Sequence, residues 1–194
     1  ITDPPYGIAW SGNSKATVTA RSIVGDLDTS ERDEMMAVEG WQAAALFGPG
    51  GLKALDHWGQ PRALLVWDKG DGCGMGDTAF PWRPNWETVA IYGSGWKGRR
   101  TTSVLRGAVM AQSRETVQND TAGRVHPHQK HLGVVSELVS KAPPSLPIVD
   151  PFMGSGTTAV ACALLGREFY GAEIDPQYFD VIRGRLAAVG VNLP

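Results

Sequence analysis

The sequence predicts an α/β fold on a mostly parallel sheet, and three observations predict it. Short apolar runs bounded by turn residues alternate with helical patterns. Residues 147–173 read as strand, glycine turn, helix and strand in succession, the βαβ signature. The composition is that of one globular domain: 194 residues, 42% hydrophobic and 20% charged. The same counts exclude several classes. A net charge of −2 excludes a uniformly basic nucleic-acid binder but leaves room for a local basic patch. Two cysteines, Cys73 and Cys162, exclude a disulfide scaffold and a four-cysteine zinc site, and fit a reducing compartment. No apolar run approaches the roughly 20 residues of a membrane span. Residues 1–30 do not have the pattern expected of a signal peptide or a lipidation signal.

The elements follow in order. Ile1-Thr2 reads as the tail of a strand, so the chain is expected to be N-terminally incomplete, with Ile1 starting inside the fold. Residues 3–29 are irregular. Ser30 is placed to cap a helix over 31–47, with Glu31, Asp33 and Glu34 at its positive end and Val38, Trp41 and Ala45 on one face. Gly48-Pro49-Gly50-Gly51 breaks it, and a short helix or turn over 52–58 follows. Residues 63–67 and 88–92 are apolar strands flanking a Gly-rich loop at 69–85. Residues 94–125 lack periodicity and form a variable segment of one domain, 1–194. Over 94–130, Lys97, Arg99, Arg100, Arg106, Arg114, Arg124 and Lys130 face only Glu115 and Asp120. Residues 131–141 form a helix with Leu132, Val135 and Val139 on one side, stopped by Pro143-Pro144. The βαβ unit places a strand at 147–150, a turn at Gly154-Ser155-Gly156, a helix at 157–165 closed by Gly166, and a strand at 168–173. Asp175 caps the last helix with Pro176 at its first position; Phe179, Ile182, Leu186 and Val189 form its apolar stripe.

Two sites carry chemistry. In Asp150-Pro151-Phe152-Met153-Gly154-Ser155-Gly156-Thr157-Thr158, small glycines after a strand let a ligand approach the backbone at a helix N-terminus, and Glu173 at the end of the next strand is placed to bind two ribose hydroxyls. The bland alternative is a tight turn without a ligand. A nucleoside triphosphate requires a lysine where Thr157 stands. A nicotinamide dinucleotide fits the spacing of Gly154, Gly156 and Ala159, but Asp150 would face its pyrophosphate. S-adenosylmethionine, cationic and phosphate-free, suits Glu173 at the ribose and Asp150 at the ammonium.

The second site is Asp3-Pro4-Pro5-Tyr6. An amino group on a base is a poor nucleophile, because its lone pair is delocalised into the ring. Two acceptors drawing on its two N–H bonds bring the nitrogen closer to sp³. Asp3 supplies one acceptor, the Pro4 carbonyl on a rigid backbone supplies the other, and Tyr6 stacks on the base. A duplex base reaches such a site only when flipped out. The bland alternative is a rigid turn after a strand.

Asp3-Pro4-Pro5-Tyr6 followed by Asp150-Pro151-Phe152-Met153-Gly154-Ser155-Gly156 resembles the amino-group DNA methyltransferases of bacteria and phages. The order of the two motifs is similar to the permuted beta group. His126-Pro127-His128-Gln129-Lys130 resembles that family's His-Pro-x-Gln-Lys-Pro, with His131 in place of the last proline. Leu65-Val66-Trp67-Asp68-Lys69 and Phe80-Pro81-Trp82-Arg83-Pro84 resemble the strand and loop after the catalytic motif. The resemblance implies a Rossmann-like fold with helices on both faces of the sheet, in permuted order. It implies methyl transfer from S-adenosylmethionine to adenine N6, with Asp3, Pro4, Pro5 and Tyr6 catalytic. His126, Lys130, Asp150, Phe152, Gly154, Ser155, Gly156, Thr157, Thr158, Glu173 and Asp175 are then expected at the cofactor, and Lys97, Arg99, Arg100 and Arg106 at double-stranded DNA. It also implies a cytoplasmic setting in a bacterium or phage-infected cell. Cytosine N4 methylation and an inactive DNA-binding module are the rivals, and a nicotinamide-dinucleotide oxidoreductase is more distant. The 32 residues of 94–125 are few for reading several base pairs alone, so recognition shared with a second subunit, as in a homodimer, stays open.

The remaining residues have plainer readings. Cys162 belongs to a core and Cys73 is incidental. His126, His128 and His131 lack the companions of a zinc site. Trp10 and Trp82 are the tryptophans expected nearest a base pocket. The basic stretch is either a solvated loop or a phosphate-tracking surface.

Overall fold

The computed structural model describes residues 1–5, 30–37, 41–48, 59–71, 79–83, 85–107 and 129–193. Within them the order is α1 (Ser30–Met36), β1 (Ala43–Gly48), β2 (Ala63–Asp68), β3 (Trp86–Gly93), β4 (Val104–Arg106), α2 (Leu132–Lys141), β5 (Ile148–Asp150), α3 (Thr157–Leu164), β6 (Phe169–Gly171) and α4 (Pro176–Ala188). One sheet has the order β1-β3-β2-β4, and β5 and β6 form a parallel pair. β3 runs antiparallel to both β1 and β2, whereas β4 is parallel to β2. β3 is therefore the reversed strand in an otherwise parallel arrangement. Asp68 faces Trp86, so β3 starts at the edge where β2 ends.

The N-terminal residues join the two sheets. The Thr2 amide donates to the Ala45 carbonyl and the Phe47 amide to the Thr2 carbonyl, each at 3.0 Å, a parallel bridge to β1. On the other side the Ile1 nitrogen donates to the Val149 carbonyl at 3.0 Å. Asp3 thus follows directly on a strand position beside Asp150.

Residues 31–47 do not form one helix. The helix stops at Met36, with Ser30 inside it as its first residue, and Ala43–Gly48 is a strand. Alanine favours helix locally. Here Ala45, Leu46 and Phe47 are all buried, with Thr2 pairing on one side and β3 on the other. Burial on both edges of the segment outweighs propensity. β4, inside the segment that lacks periodicity, is too short to show an alternation. The expectations for 6–29, 52–58 and 108–125, with Cys73 and Trp10, lie outside the described residues.

The C-terminal half matches its sequence pattern, except that the last strand covers only Phe169–Gly171, where its pairing with β5 ends at Asp150, so Glu173 lies two residues beyond the strand rather than at its end. α2 buries Leu132, Val135 and Val139 together with Val134 and Leu138. Arg167 ties the end of α2 to the loop after it, donating to the helix carbonyl of Val139 at 3.0 Å and to the loop carbonyls of Pro143 at 2.8 Å and Leu146 at 2.9 Å. α3 closes at Gly166 (φ 62°), where the Gly166 amide bonds Ala163 and the Arg167 amide bonds Cys162, a Schellman closure. α4 starts as expected, with the Asp175 carboxylate accepting from the Gln177 amide at 2.9 Å and Pro176 at its first position. Ile182 and Leu186 are buried and Val189 is half-buried, but Phe179 stays exposed. Cys162 is fully buried, and burial pushes its thiol up to about 11, as suits a core cysteine.

Candidate active site at the strand ends

Asp3, Asp68, Trp86, Arg106 and Asp150 mark one edge, where the parallel strands end and the reversed β3 begins. Asp150 is buried at the tip of β5. Its Oδ1 accepts from the Thr2 hydroxyl at 2.6 Å and from the Phe152 amide at 3.1 Å. The first bond ties the strand position before Asp3 to the head of the glycine turn.

The turn itself is stiff. Gly154 and Gly156 have φ of 51° and 78°, where side chains are rarely tolerated. A Cβ on Gly156 would also lie 2.8 Å from Cγ1 of Ile182. The Glu173 carboxylate accepts from the Gly154 amide at 2.6 Å and the Asp175 amide at 2.9 Å. Burial raises the Glu173 carboxyl above its ordinary value, against the opposing pull of those amide donors. Glu173 is thus a half-buried acceptor beside the turn, while the Asp175 carboxylate is engaged in capping α4. Ser155, Thr157 and Thr158 are buried at the start of α3, and Phe152 is half-buried beside them.

Arg185 went unnoticed in the sequence. From α4 its guanidinium, 1% exposed, donates to the Ser155 carbonyl at 2.6 Å and hydroxyl at 3.1 Å, and to the Thr157 hydroxyl at 3.3 Å. The signal was its spacing three residues after Ile182, on the buried face. Glu87 and Lys69 were also missed. Glu87 lies inward at the start of β3, a carboxylate in an otherwise apolar strand.

Lys130 is buried with its ammonium between two carboxylates, 2.7 Å from Asp3 and 3.0 Å from Glu87. Lys69 binds the other oxygen of Glu87. The Lys130 ammonium also lies 5.3 Å from the Phe47 ring centre and 5.8 Å from that of Trp67. Burial alone would lower its pKa, but attraction to Asp3 and Glu87 outweighs this and raises it. Burial likewise works to raise Glu87, and the Lys130 and Lys69 charges outweigh it, holding the carboxyl below its ordinary value. The backbone carbonyl of Lys130 accepts from the Thr157 hydroxyl at 3.5 Å, so one residue touches both halves of the site.

The structure therefore brings together Asp3, Pro4, Pro5, Lys130, Asp150 and the glycine turn; Tyr6 and His126 lie outside the described residues. It separates the basic residues. Arg106 is exposed at the end of β4, on the site edge. Lys97, Arg99 and Arg100 follow the far end of β3. The Lys97 amide bonds the Lys141 carbonyl at the C-terminal end of α2, and Thr101 bonds Glu137. Those three cations run beside the half of α2 that points away from the site. Trp82 and Phe80 are exposed, ring centres 5.4 Å apart, on the loop beyond the ends of β2 and β3. Among the described residues no group of histidine, cysteine or acidic side chains could hold a metal, and no helix is long and apolar enough to cross a membrane.

A family model for DNA methylases of the N6/N4 type matches residues 53–184, more than half of the chain. The type II methyltransferase M.HinfI of Haemophilus influenzae is 29% identical over 84 residues, 43% of this chain and 23% of that protein. M.BglII of Bacillus subtilis is 38% identical over 69 residues, 35% of this chain and 19% of that protein. The chain thus matches about a fifth of the length of these curated relatives. Among solved structures, the M1.HpyAVI–SAM complex aligns with a TM-score of 0.63 at 21% identity, over 95% of this chain and 86% of that one. The cytosine-N4-specific PvuII DNA methyltransferase aligns at 0.64 and 13% identity, over 95% and 77%. At those identities the likeness establishes the fold, which is Rossmann-like.

Proposed function

The chain belongs to the N6/N4 DNA methylase family, and on that premise we propose that it transfers a methyl group from S-adenosylmethionine to the N6 amino group of adenine in double-stranded DNA. The observation that carries the proposal is the bond from Thr2 to Asp150, which sets the Asp3-Pro4-Pro5 backbone beside the glycine turn. A methyl donor in the turn and an amino group at Asp3 then meet within reacting distance.

The residues at the turn fit this cofactor. Two left-handed glycines and a helix N-terminus leave room for close backbone approach, and Glu173 and Asp150 offer carboxylates to a ribose and an ammonium without a phosphate to repel. The bound group supplies an electrophilic methyl on a sulfonium. The protein's part is placement. Asp3 and the Pro4 carbonyl accept from the two amino N–H bonds, Tyr6 stacks on the flipped base, and no metal or covalent intermediate is needed. Lys130, assigned to the cofactor side, meets the turn through its carbonyl at Thr157 and directs its ammonium to Asp3 and Glu87. On the DNA side the site edge offers Arg106, with the exposed Trp82, and we assign phosphate contact there rather than to Lys97, Arg99 and Arg100.

The aspartate at the head of the tetrapeptide favours adenine, as the family resemblance implies; the order of motifs along the chain supports the permuted group. Mass spectrometry of nucleosides from duplex DNA incubated with the full-length protein and S-adenosylmethionine tests the reading. N6-methyladenine is expected. N4-methylcytosine would replace adenine by cytosine, and no methylated base would overturn the catalytic proposal.

A further inference from the structure

We infer that Glu87 is a positioning residue for Asp3, acting through Lys130. The inference rests on the proposed role of Asp3 as acceptor for the target amino group. Asp3, Lys130, Glu87 and Lys69 form a line of alternating charge along the site edge, most buried at its two middle members. The Lys130 side chain is 7% exposed and that of Glu87 11%. An ammonium on a four-carbon stem has no preferred direction of its own. Here two carboxylates on opposite partners and the rings of Phe47 and Trp67 define where it lies. Of the two anions, Glu87 stands on the eight-residue β3, paired with Trp67 of β2 and held by Lys69 on its other oxygen, whereas Asp3 leads into the Pro-Pro segment. The fixed anion sets the cation, and the cation sets the Asp3 carboxylate.

An acceptor that must draw on one N–H of an amino group needs its oxygen aimed to within a fraction of an ångström. The Glu87–Lys130 pair supplies that aim without touching substrate or cofactor. Lys69, on the far oxygen of Glu87, keeps that carboxylate from turning toward solvent.

The test uses the full-length protein with Glu87→Gln, Glu87→Asp and Lys130→Gln. Glu87→Gln is expected to lower kcat on duplex DNA by about tenfold or more while the calorimetric Kd for S-adenosylmethionine stays within about twofold, and Glu87→Asp to recover part of the loss. A readout independent of turnover is the carboxyl 13C titration of Asp3, assigned by its loss in Asp3→Asn. The charged groups that face Asp3 are Lys130, then Glu87 and Lys69, with Asp150 one bond away through Thr2. Removing the cation in Lys130→Gln is expected to move the Asp3 midpoint up; removing the anion in Glu87→Gln, to move it down. Wild-type kcat in Glu87→Gln, loss of cofactor binding there, or an Asp3 midpoint unmoved by both variants would overturn the inference. If wild type methylates no DNA while the midpoints move as stated, the methyltransferase proposal falls and the charge line stands.

Discussion

Arg185→Met removes a guanidinium and keeps most of its aliphatic stem. In the wild type that guanidinium donates to the Ser155 carbonyl at 2.6 Å, the Ser155 hydroxyl at 3.1 Å and the Thr157 hydroxyl at 3.3 Å, at 1% exposure. Hydrogen bonds from a charged donor are worth about 1.5–3 kcal/mol each, but bonds sharing one donor group are not additive. The two hydroxyls can rotate to other partners, whereas the Ser155 carbonyl cannot, and a buried carbonyl left without a donor costs about 1–3 kcal/mol. The relief of no longer burying a cation offsets part of the loss. The net expectation is about 2–4 kcal/mol of destabilisation. At roughly 2–4 °C per kcal/mol for a chain of this size, Tm should fall by about 5–15 °C. The loosened loop is the one assigned to S-adenosylmethionine, so the cofactor Kd should rise by about tenfold. Thermal unfolding by circular dichroism and titration calorimetry measure the two effects. A Tm within about 2 °C of wild type, with Kd unchanged, would show that the turn holds its shape without Arg185 and refute the reasoning.

Four further outcomes follow from the same geometry. Gly156→Ala combines a φ of 78° with a Cβ 2.8 Å from Ile182 and should destabilise by about 1–3 kcal/mol in urea unfolding. Glu173→Ala should weaken S-adenosylmethionine binding by about 1–3 kcal/mol; because the Glu173 carboxyl is raised, wild-type affinity should also start to fall at milder acidity than an ordinary carboxylate would give. Arg106→Ala should reduce the slope of log K for DNA against log salt by about 0.9, whereas Arg99→Ala with Arg100→Ala, beyond the far end of β3, should leave it unchanged. Glu87, lowered in the fold from 4.5, contributes stability above that pH that is lost as pH falls through its folded value, so Glu87→Gln should flatten the acid limb of the stability curve in urea unfolding.

Legibility differed between the two halves of the chain, for physical reasons. Residues 131–193 carry local signals that agree with their tertiary setting: Pro143-Pro144 stops α2, Gly166 closes α3, and Asp175-Pro176 opens α4. The motif residues of the glycine turn follow from the same signals, because a turn that needs positive φ needs glycine. The segment 43–48 was misread because its alanines favour helix, and only pairing with Thr2 and β3 makes it a strand. The basic residues could be grouped by sequence but not by place. Arg99 and Arg106 are seven positions apart, and the chain between them travels from the far end of α2 to the site edge. Glu87 and Lys69 were invisible as a pair, since 17 residues separate them in sequence while one ion pair joins them in space.

The proposed reaction requires the two motifs to be held at a fixed separation, and the structure links them. Methyl transfer requires donor and acceptor to be held at a separation set by bond lengths, so slack in either is paid in rate. Two hydrogen bonds span the junction: Thr2 to Asp150, and Thr157 to the Lys130 carbonyl. The first runs from the residue before Asp3 to the head of the glycine-turn motif, the second from that motif to Lys130. Thr2 is 3% exposed and Thr157 5%, so neither hydroxyl has ready access to water as a substitute partner. Lys130 extends the linkage, with its carbonyl on the donor side and its ammonium on Asp3. The glycine turn and the Asp3 carboxylate, the proposed acceptor, are thereby linked through buried bonds rather than through solvent.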